Sequence, residues 1–295
     1  VKLSICILCY NYGRFVGRAI ESALLQEVDG FPLEVIVIDD GSEDDTLEVC
    51  RKYSGDITII SEGNQGFGAS LSRAITRSSG DYVLFLDADD YFLPGKIEAF
   101  TPWFRQGVLF VHDRCYFINE DGEMISNRLH GGGSTSTIAV RRDAALSLVP
   151  VENEISFHAL LRLGHGVVLD RAFTSYRFHN QSMTNRNIAG KQNTYLAQVT
   201  HNLARRLASL LDGTRPDWME DEQLARKVIA DFRAQAFYNE FEAALELRKP
   251  IGAWRAYFKM MLNAWQGFGV LKRIYLIRTA QAILMRPAIR GKVRC

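Results

Sequence analysis

Short apolar runs alternate with helical patterns through the first hundred residues. Residues 3–8, 35–38, 57–60 and 83–86 have the length and content of buried strands. Between them, Phe15, Ala19, Ile20, Ala23 and Leu24 mark one helix face, Leu47, Cys50 and Tyr53 a second, and Leu71, Ala74 and Ile75 a third. This alternation predicts an α/β fold, a mostly parallel sheet flanked by helices on both faces. In open sheets ligands gather outside the carboxyl ends of the strands. The residues that follow each run are polar: Cys9-Tyr10-Asn11, Asp39-Asp40-Gly41-Ser42, Glu62-Gly63-Asn64-Gln65-Gly66 and Asp87-Ala88-Asp89-Asp90. After about residue 187 the pattern changes to long helices at 196–211, 220–247 and 251–265, the first two separated by Asp212-Gly213-Thr214-Arg215-Pro216. Two domains are expected, 1–187 around the sheet and 188–295 as a helical extension.

At 295 residues, 47% hydrophobic and 23% charged, the chain can bury a sizeable core, which argues against general disorder. Its five cysteines form an odd set without disulfide-framework spacing, and Cys6 and Cys9 fall on opposite faces of one strand, so a reduced, cytosolic setting is expected. The chain starts at Val1 rather than Met, as a processed or trimmed product would, and lacks the basic n-region of a secretory signal. The nearest approach to a membrane span, residues 274–285, is interrupted by Arg278, so a spanning helix is not expected.

The formal charge of +1 hides an asymmetry. Residues 247–295 hold no Asp or Glu, and the bases Arg248, Lys249, Arg255, Lys259, Lys272, Arg273, Arg278, Arg286, Arg290, Lys292 and Arg294 give +11, leaving −10 on the rest. Trp254, Tyr257, Phe258, Met261, Leu262 and Trp265 recur among these bases at helical spacing, and Leu271, Ile274, Tyr275, Ile277 and Leu284 continue the pattern. Such a segment suits a membrane interface, which implies a peripheral location at the inner face of the membrane. The same stripes can instead pack on the domain with the bases facing water. No RNA-binding motif accompanies the charge, so no nucleic-acid partner is expected, and homo-oligomerisation stays open.

Four polar loops at one sheet edge provide what a nucleotide needs. The ring of Tyr10 can flank a base, and Asp39 or Asp40 can accept from a base N–H or ribose hydroxyl. Asn11, Asn64 and Gly66 supply turns, and Asp87 and Asp89 can hold Mg²⁺ or Mn²⁺ against phosphates. Each residue also has an ordinary use: Tyr10 as a rim aromatic, Asp39 and Asp40 as caps near Thr46, Asp89 or Asp90 as a cap before Pro94. Their joint position at strand ends favours the ligand.

The segments Ser4-Ile5-Cys6-Ile7-Leu8-Cys9-Tyr10-Asn11, Val37-Ile38-Asp39-Asp40-Gly41-Ser42 and Gly80-Asp81-Tyr82-Val83-Leu84-Phe85-Leu86-Asp87-Ala88-Asp89-Asp90, with Asn64-Gln65-Gly66 between the last two, resemble glycosyltransferase family 2. The resemblance implies a Rossmann-like GT-A fold, an inverting mechanism and a nucleotide-sugar donor, with a UDP-sugar favoured. It implies that Cys9, Tyr10, Asp39 and Asp40 line the nucleoside pocket, with Cys9 where the family often has Thr, and that Asp87 and Asp89 hold metal and diphosphate. It also implies an acidic pair before a helix like Ala159-Leu160-Leu161-Arg162-Leu163-Gly164. Counting back from Arg162 falls on Ile155 and Ser156, so the candidate bases are the neighbouring Glu154, which is favoured, and Glu152, with His158 as a further candidate. Tyr176-Arg177-Phe178-His179-Asn180-Gln181-Ser182 resembles the family segment whose His approaches the metal, which implicates His179. Gly131-Gly132-Gly133 is expected to form a mobile loop near sugar and acceptor, and Arg141 or Arg142 to reach phosphate.

A haloacid-dehalogenase-like phosphatase is disfavoured because Asp87-Ala88-Asp89-Asp90-Tyr91 lacks the Thr two residues beyond the second Asp. A dinucleotide dehydrogenase is disfavoured because Gly66-Phe67-Gly68-Ala69-Ser70-Leu71 lacks the third glycine. The expected function is transfer of a sugar to a saccharide or lipid-linked acceptor in surface polysaccharide or glycolipid synthesis. The alternative is a catalytically impaired nucleotide-sugar-binding partner or regulator.

Overall fold

The computed structural model describes residues 1–26, 30–126, 128–131, 134–179 and 191–265. Gly132, Gly133, Asn180, Gln181, Ser182 and the apolar pattern at 271–285 lie outside the described residues. The chain forms two compact units, one of Val1–Arg186 with Thr214–Glu220, the other of Asn187–Gly213 with Asp221–Cys295.

The first unit runs β1 (Leu3–Cys9), α1 (Gly13–Leu24), β2 (Leu33–Asp39), α2 (Thr46–Arg51), β3 (Thr58–Ser61), α3 (Phe67–Arg77), β4 (Tyr82–Asp87), β5 (Tyr91–Phe92) and α4 (Lys96–Arg105). It continues through β6 (Phe110–Ile118), β7 (Ile138–Arg141), α5 (Arg142–Leu148), α6 (His158–Arg162) and β8 (Gly166–Arg177). Among the described residues one eight-stranded sheet has the order β3-β2-β1-β4-β7-β6-β8-β5. The first four strands in that order are parallel, as is the β6–β8 pair, while β7 runs antiparallel to both β4 and β6 and β5 antiparallel to β8. β1 is buried along its whole length, as a continuous apolar strand covered on both faces must be. Leu3, Ile5 and Ile7 pack with α1 through Val16, Ala19, Ile20 and Ala23, and Cys6 donates from its thiol to Ala74 O of α3 on the other face.

At the amino-terminal edge of the sheet Glu34 accepts from Ser4 Oγ, from Ser79 N and Oγ, and from Lys2 Nζ. Against the cost of its burial, these donors hold its carboxyl down to about 2.

The opposite edge is organised around a fully buried ammonium. Lys96 Nζ donates to Asp113 Oδ1 at 2.8 Å, to Ser136 O at 2.9 Å and to Thr174 Oγ1 at 2.7 Å. Thr174 Oγ1 donates onward to Asp113 Oδ2 at 3.1 Å, and the Phe92 and Phe100 rings lie 4.4 and 5.1 Å from the nitrogen. Burial pulls the ammonium down and the Asp113 carboxyl up, and their mutual attraction opposes both shifts. Ser136, fixed through its carbonyl, donates from its hydroxyl to Asp90 Oδ2 at 2.6 Å and accepts from Asp87 N at 3.0 Å. Asp90 Oδ1 in turn accepts from Arg177 N at 2.8 Å.

The second unit comprises α7 (Lys191–Asp212), α8 (Glu222–Glu246) and α9 (Pro250–Trp265). α7 and α8 are joined by Asn193–Glu246 and His201–Glu240 side-chain bonds at 2.9 and 3.0 Å. Phe241 of α8 packs with Ala253 and Ala256 of α9.

Ser136→Ala is expected to cost about 1–3 kcal/mol of stability, the penalty of leaving a buried acceptor unsatisfied. Asp90 already sits well above the usual carboxylate range because of its burial and the neighbouring Asp89 charge. Losing the Ser136 donor raises it further, so the loss grows as pH rises through the native Asp90 value and shrinks in acid. Denaturant unfolding at pH 5 and pH 8 measures this; equal midpoints for parent and variant at both would remove Ser136 from the network.

Candidate active site

Strand register brings the predicted residues level. Cys9 pairs with Asp39, Asp39 with Ser61, and Leu8 with Asp87, so the four parallel strands end at one height and their loops open together. Those loops are tied to one another. Asn11, at a left-handed φ of 58°, donates from its N–H to Ser42 Oγ at 2.9 Å and accepts from Glu43 N at 2.8 Å. Asp44 Oδ2 accepts from Gly13 N at 3.1 Å, and Thr46 Oγ1 from Tyr12 N at 2.9 Å.

Asp39 and Asp40 are both buried and both hold loops. Asp39 accepts from Ser42 N and, at 2.7 Å, from Ser61 Oγ. Asp40 accepts from Gln65 N at 3.0 Å and Gly66 N at 2.8 Å, with Arg73 Nη1 3.7 Å from its Oδ1. Asn64 therefore lies across Gly41, whose φ is +76° and where a Cβ would stand 2.7 Å from Asn64 N; glycine is required there on both counts. Asp44, rather than Asp39 or Asp40, caps toward Thr46 N, at 3.0 Å. Cys9 contributes its carbonyl, which accepts from Asp40 N, while its thiol turns into the core. A hydrogen bond to Cys50 and burial push that thiol well above its ordinary value, so it stays neutral. Tyr10 projects outward, 40% exposed, at the rim of this floor.

Asp87 ends β4 partly buried, and its carboxyl is pushed well above the usual range by burial and then by repulsion from Asp90, Asp89 and Glu154. Asp89 Oδ2 lies 2.9 Å from His179 Nε2, and the His179 ring is buried against Phe15 and Tyr12, centroids at 5.0 and 5.7 Å. The family resemblance named Asp87, Asp89 and His179 as candidate metal ligands, and the fold brings Asp89 and His179 into contact. Among the described residues no three or more His, Cys, Asp or Glu side chains converge as a preformed metal site. Glu154 opens a 3-10 turn, Glu154–Ser156, capped by Asn153, whose Oδ1 accepts from Ile155 N at 3.1 Å. Burial pushes the Glu154 carboxyl up to about 7. Glu152 sits on a backbone that presses on Gly68 of α3, where a Cβ would be 2.9 Å from Glu152 Cα.

Other candidates are committed elsewhere. His158 packs against Phe110 and His112, centroids at 5.5 and 5.9 Å, and burial pulls its imidazole down. Arg141 pairs in register with Tyr82, at the opposite end of β4 from Asp87, and its guanidinium binds Asp143 at 2.7 and 2.9 Å. Arg142 donates to Ile75 O and Thr76 O of α3. The expectation that either arginine reaches phosphate is therefore corrected: β7 runs antiparallel and delivers them to the wrong edge. Sequence reasoning missed Lys96, Asp113, Ser136 and Arg177; Arg177 Nε donates to Asp89 O at 2.8 Å. The available signal was Asp113 directly after the apolar run Leu109-Phe110-Val111 and His112, in the buried first half of β6.

Comparison with known proteins bears on the family and the fold. A sequence model described as Glycosyl transferase family 2 matches residues 4–162. Chondroitin synthase of Escherichia coli is 34% identical over 130 residues, 42% of this chain and 19% of that protein. Hyaluronan synthase of Pasteurella multocida is 35% identical over 130 residues, 42% of this chain and 13% of that protein. The chain thus spans a fifth or less of the length of these curated relatives. The crystal structure of S. aureus TarS 1–349 in complex with UDP-GlcNAc superimposes with a TM-score of 0.63 at 17% identity, covering 89% of this chain and 81% of that one, which is a likeness of GT-A fold. Because the family match takes in more than half of the 295 residues and includes all four strand-end loops, the protein belongs to glycosyl transferase family 2.

Proposed function

We propose that the chain is a metal-dependent, inverting glycosyltransferase that moves a sugar from a nucleoside-diphosphate donor, a UDP-sugar, to a saccharide or lipid-linked acceptor. The observation that carries this reading is the level ending of four parallel strands, which gathers Tyr10, Asp39, Asp40 and Asp87 at one edge of the sheet. Burial holds the Glu154 carboxyl at about 7, in the range a general base needs. The UDP-GlcNAc complex of TarS supports the donor class. The polysaccharide synthases among the relatives support a saccharide acceptor.

Asp87, Asp89 and His179 are the residues that would hold Mn²⁺ or Mg²⁺, an oxygen-rich set with one imidazole. The fit rests on the donor set itself: Asp89 Oδ2 lies 2.9 Å from His179 Nε2, in the turn that follows Asp87. Bound there, the ion would offset charge on the departing diphosphate as a Lewis acid. Tyr10, Asn11, Asn64 and Gly66 border the nucleoside, over a floor made by Cys9, Asp39 and Asp40. Glu154 takes the acceptor hydroxyl proton while the acceptor oxygen bonds to the anomeric carbon and the bond to the diphosphate breaks on the opposite face. Glu152 is the reserve candidate for that base. The acid-free segment 247–295 supports work at the inner, cytoplasmic face of a membrane, although no described helix is long and apolar enough to cross one.

Glu154→Gln is expected to lower kcat/KM by about 10²–10⁴ while donor binding persists. Only ionised Glu154 accepts a proton, so the parent rate should fall about tenfold per pH unit below about 7. A Glu154→Gln enzyme turning over at the parent rate would refute the assignment. Chelation should abolish transfer, with Mn²⁺ or Mg²⁺ restoring it. His179→Ala should weaken Mn²⁺ binding measured calorimetrically in the presence of UDP; an unchanged titration removes His179 from the metal shell.

A further inference from the structure

α9 carries two apolar faces, only one of which the fold covers. At about 100° per residue, Ala253, Ala256 and Met260 share one side of the helix, and all are buried. Tyr257 stands beside them, its ring 6.3 Å from Phe241 of α8. Ile251, Trp254 and Phe258 fall within about 60° of one another on the opposite side. They are 84%, 46% and 61% exposed, and the Trp254 and Phe258 rings lie 6.1 Å apart. The aromatic spacing that reads as one stripe in the sequence is thus divided between a packed face and an outward one. A surface helix of a globular domain normally presents polar side chains where α9 presents these three.

Charge selects the occupant of that face. Exposed Arg255 and Lys259 flank it, and exposed Arg248 and Lys249 precede it. No Asp or Glu occurs anywhere in 247–295. A second copy meeting the first through the same face would bring these bases against their own images. The segment after α9 is basic as well, so it offers no countercharge. An anionic lipid surface complements both features: apolar rings enter the acyl boundary, and the bases meet phosphate headgroups. We propose that the outward Ile251-Trp254-Phe258 face of α9 docks the protein on an anionic bilayer. This goes beyond the proposed membrane location by naming the surface that makes it, and it is independent of the catalytic assignment.

The test is co-sedimentation of the full chain with phosphatidylglycerol-containing vesicles and with pure phosphatidylcholine vesicles. The parent should pellet with the anionic vesicles, more weakly at high salt, and poorly with the neutral ones. Trp254→Glu with Phe258→Glu should lower the anionic partition at least about tenfold while UDP binding is kept. Arg255→Glu with Lys259→Glu, which leaves the apolar side chains intact, should lower it too and so guards against misfolding of the first pair. A parent that stays in the supernatant overturns the proposal, as do Glu variants that pellet like the parent. Sedimentation showing that the variants break a dimer without changing vesicle partition overturns it in favour of a second copy. Failure of the parent to bind UDP would sink the catalytic reading and leave the vesicle result standing.

Discussion

The Lys96 ammonium is wholly buried, so its three donors must be satisfied by protein oxygens, and Asp113, Ser136 and Thr174 supply them. These partners come from β6, the turn before β7, and β8, three segments remote in sequence. One charged group therefore fixes where the far half of the sheet stands relative to β4. Breaking such a pair on one side typically costs about 3–5 kcal/mol, more than most single contacts contribute. The carboxylate turn after β4 takes its shape from this constraint. Ser136 holds the Asp87 backbone and the Asp90 side chain together, and Arg177 closes the far side.

The loops that follow β1, β2 and β3 are held by a different device. Asp40 and Asp44 accept from backbone N–H groups of neighbouring loops, and Asp39 accepts from Ser42 N of its own loop and from the Ser61 hydroxyl at the end of β3. Asp39 and Asp40, expected at the ligand, also hold the loops around them. Rotational freedom given up in this way is lost during folding, not on binding, which favours affinity. Asp40 also links the loop to α3 through the Arg73 guanidinium.

The parallel half of the sheet was legible in the sequence because its strands are uninterrupted apolar runs. Residues 3–8 and 83–86 fall within β1 and β4 of the structure. The strand-end loops were legible for the same reason, since a polar group must follow a buried strand end. The Asp89–His179 contact depended on family likeness; nothing in local spacing joins residues ninety positions apart. What stayed hidden follows from topology. The antiparallel insertion of β7 sends Arg141 to the edge away from Asp87. The role of Ser136 likewise depends on Lys96 and Asp113, whose meeting no periodicity announces. On α9 the sequence pattern gave the helix correctly but could not say which apolar residues α8 would cover.

The two edges of the sheet place carboxylates in contrary electrostatic circumstances. Glu34, at the start of β2, is surrounded by hydroxyl, amide and ammonium donors and holds its charge down to about 2. Asp87, at the end of β4, faces other acids, and its charge is resisted. The sheet is thus polarised between a satisfied edge and a frustrated one. Evolutionary change should be constrained differently at each: substitutions near Glu34 act on folding, whereas substitutions that soothe the repulsion at Asp87 would steady the protein and weaken the proposed cation site.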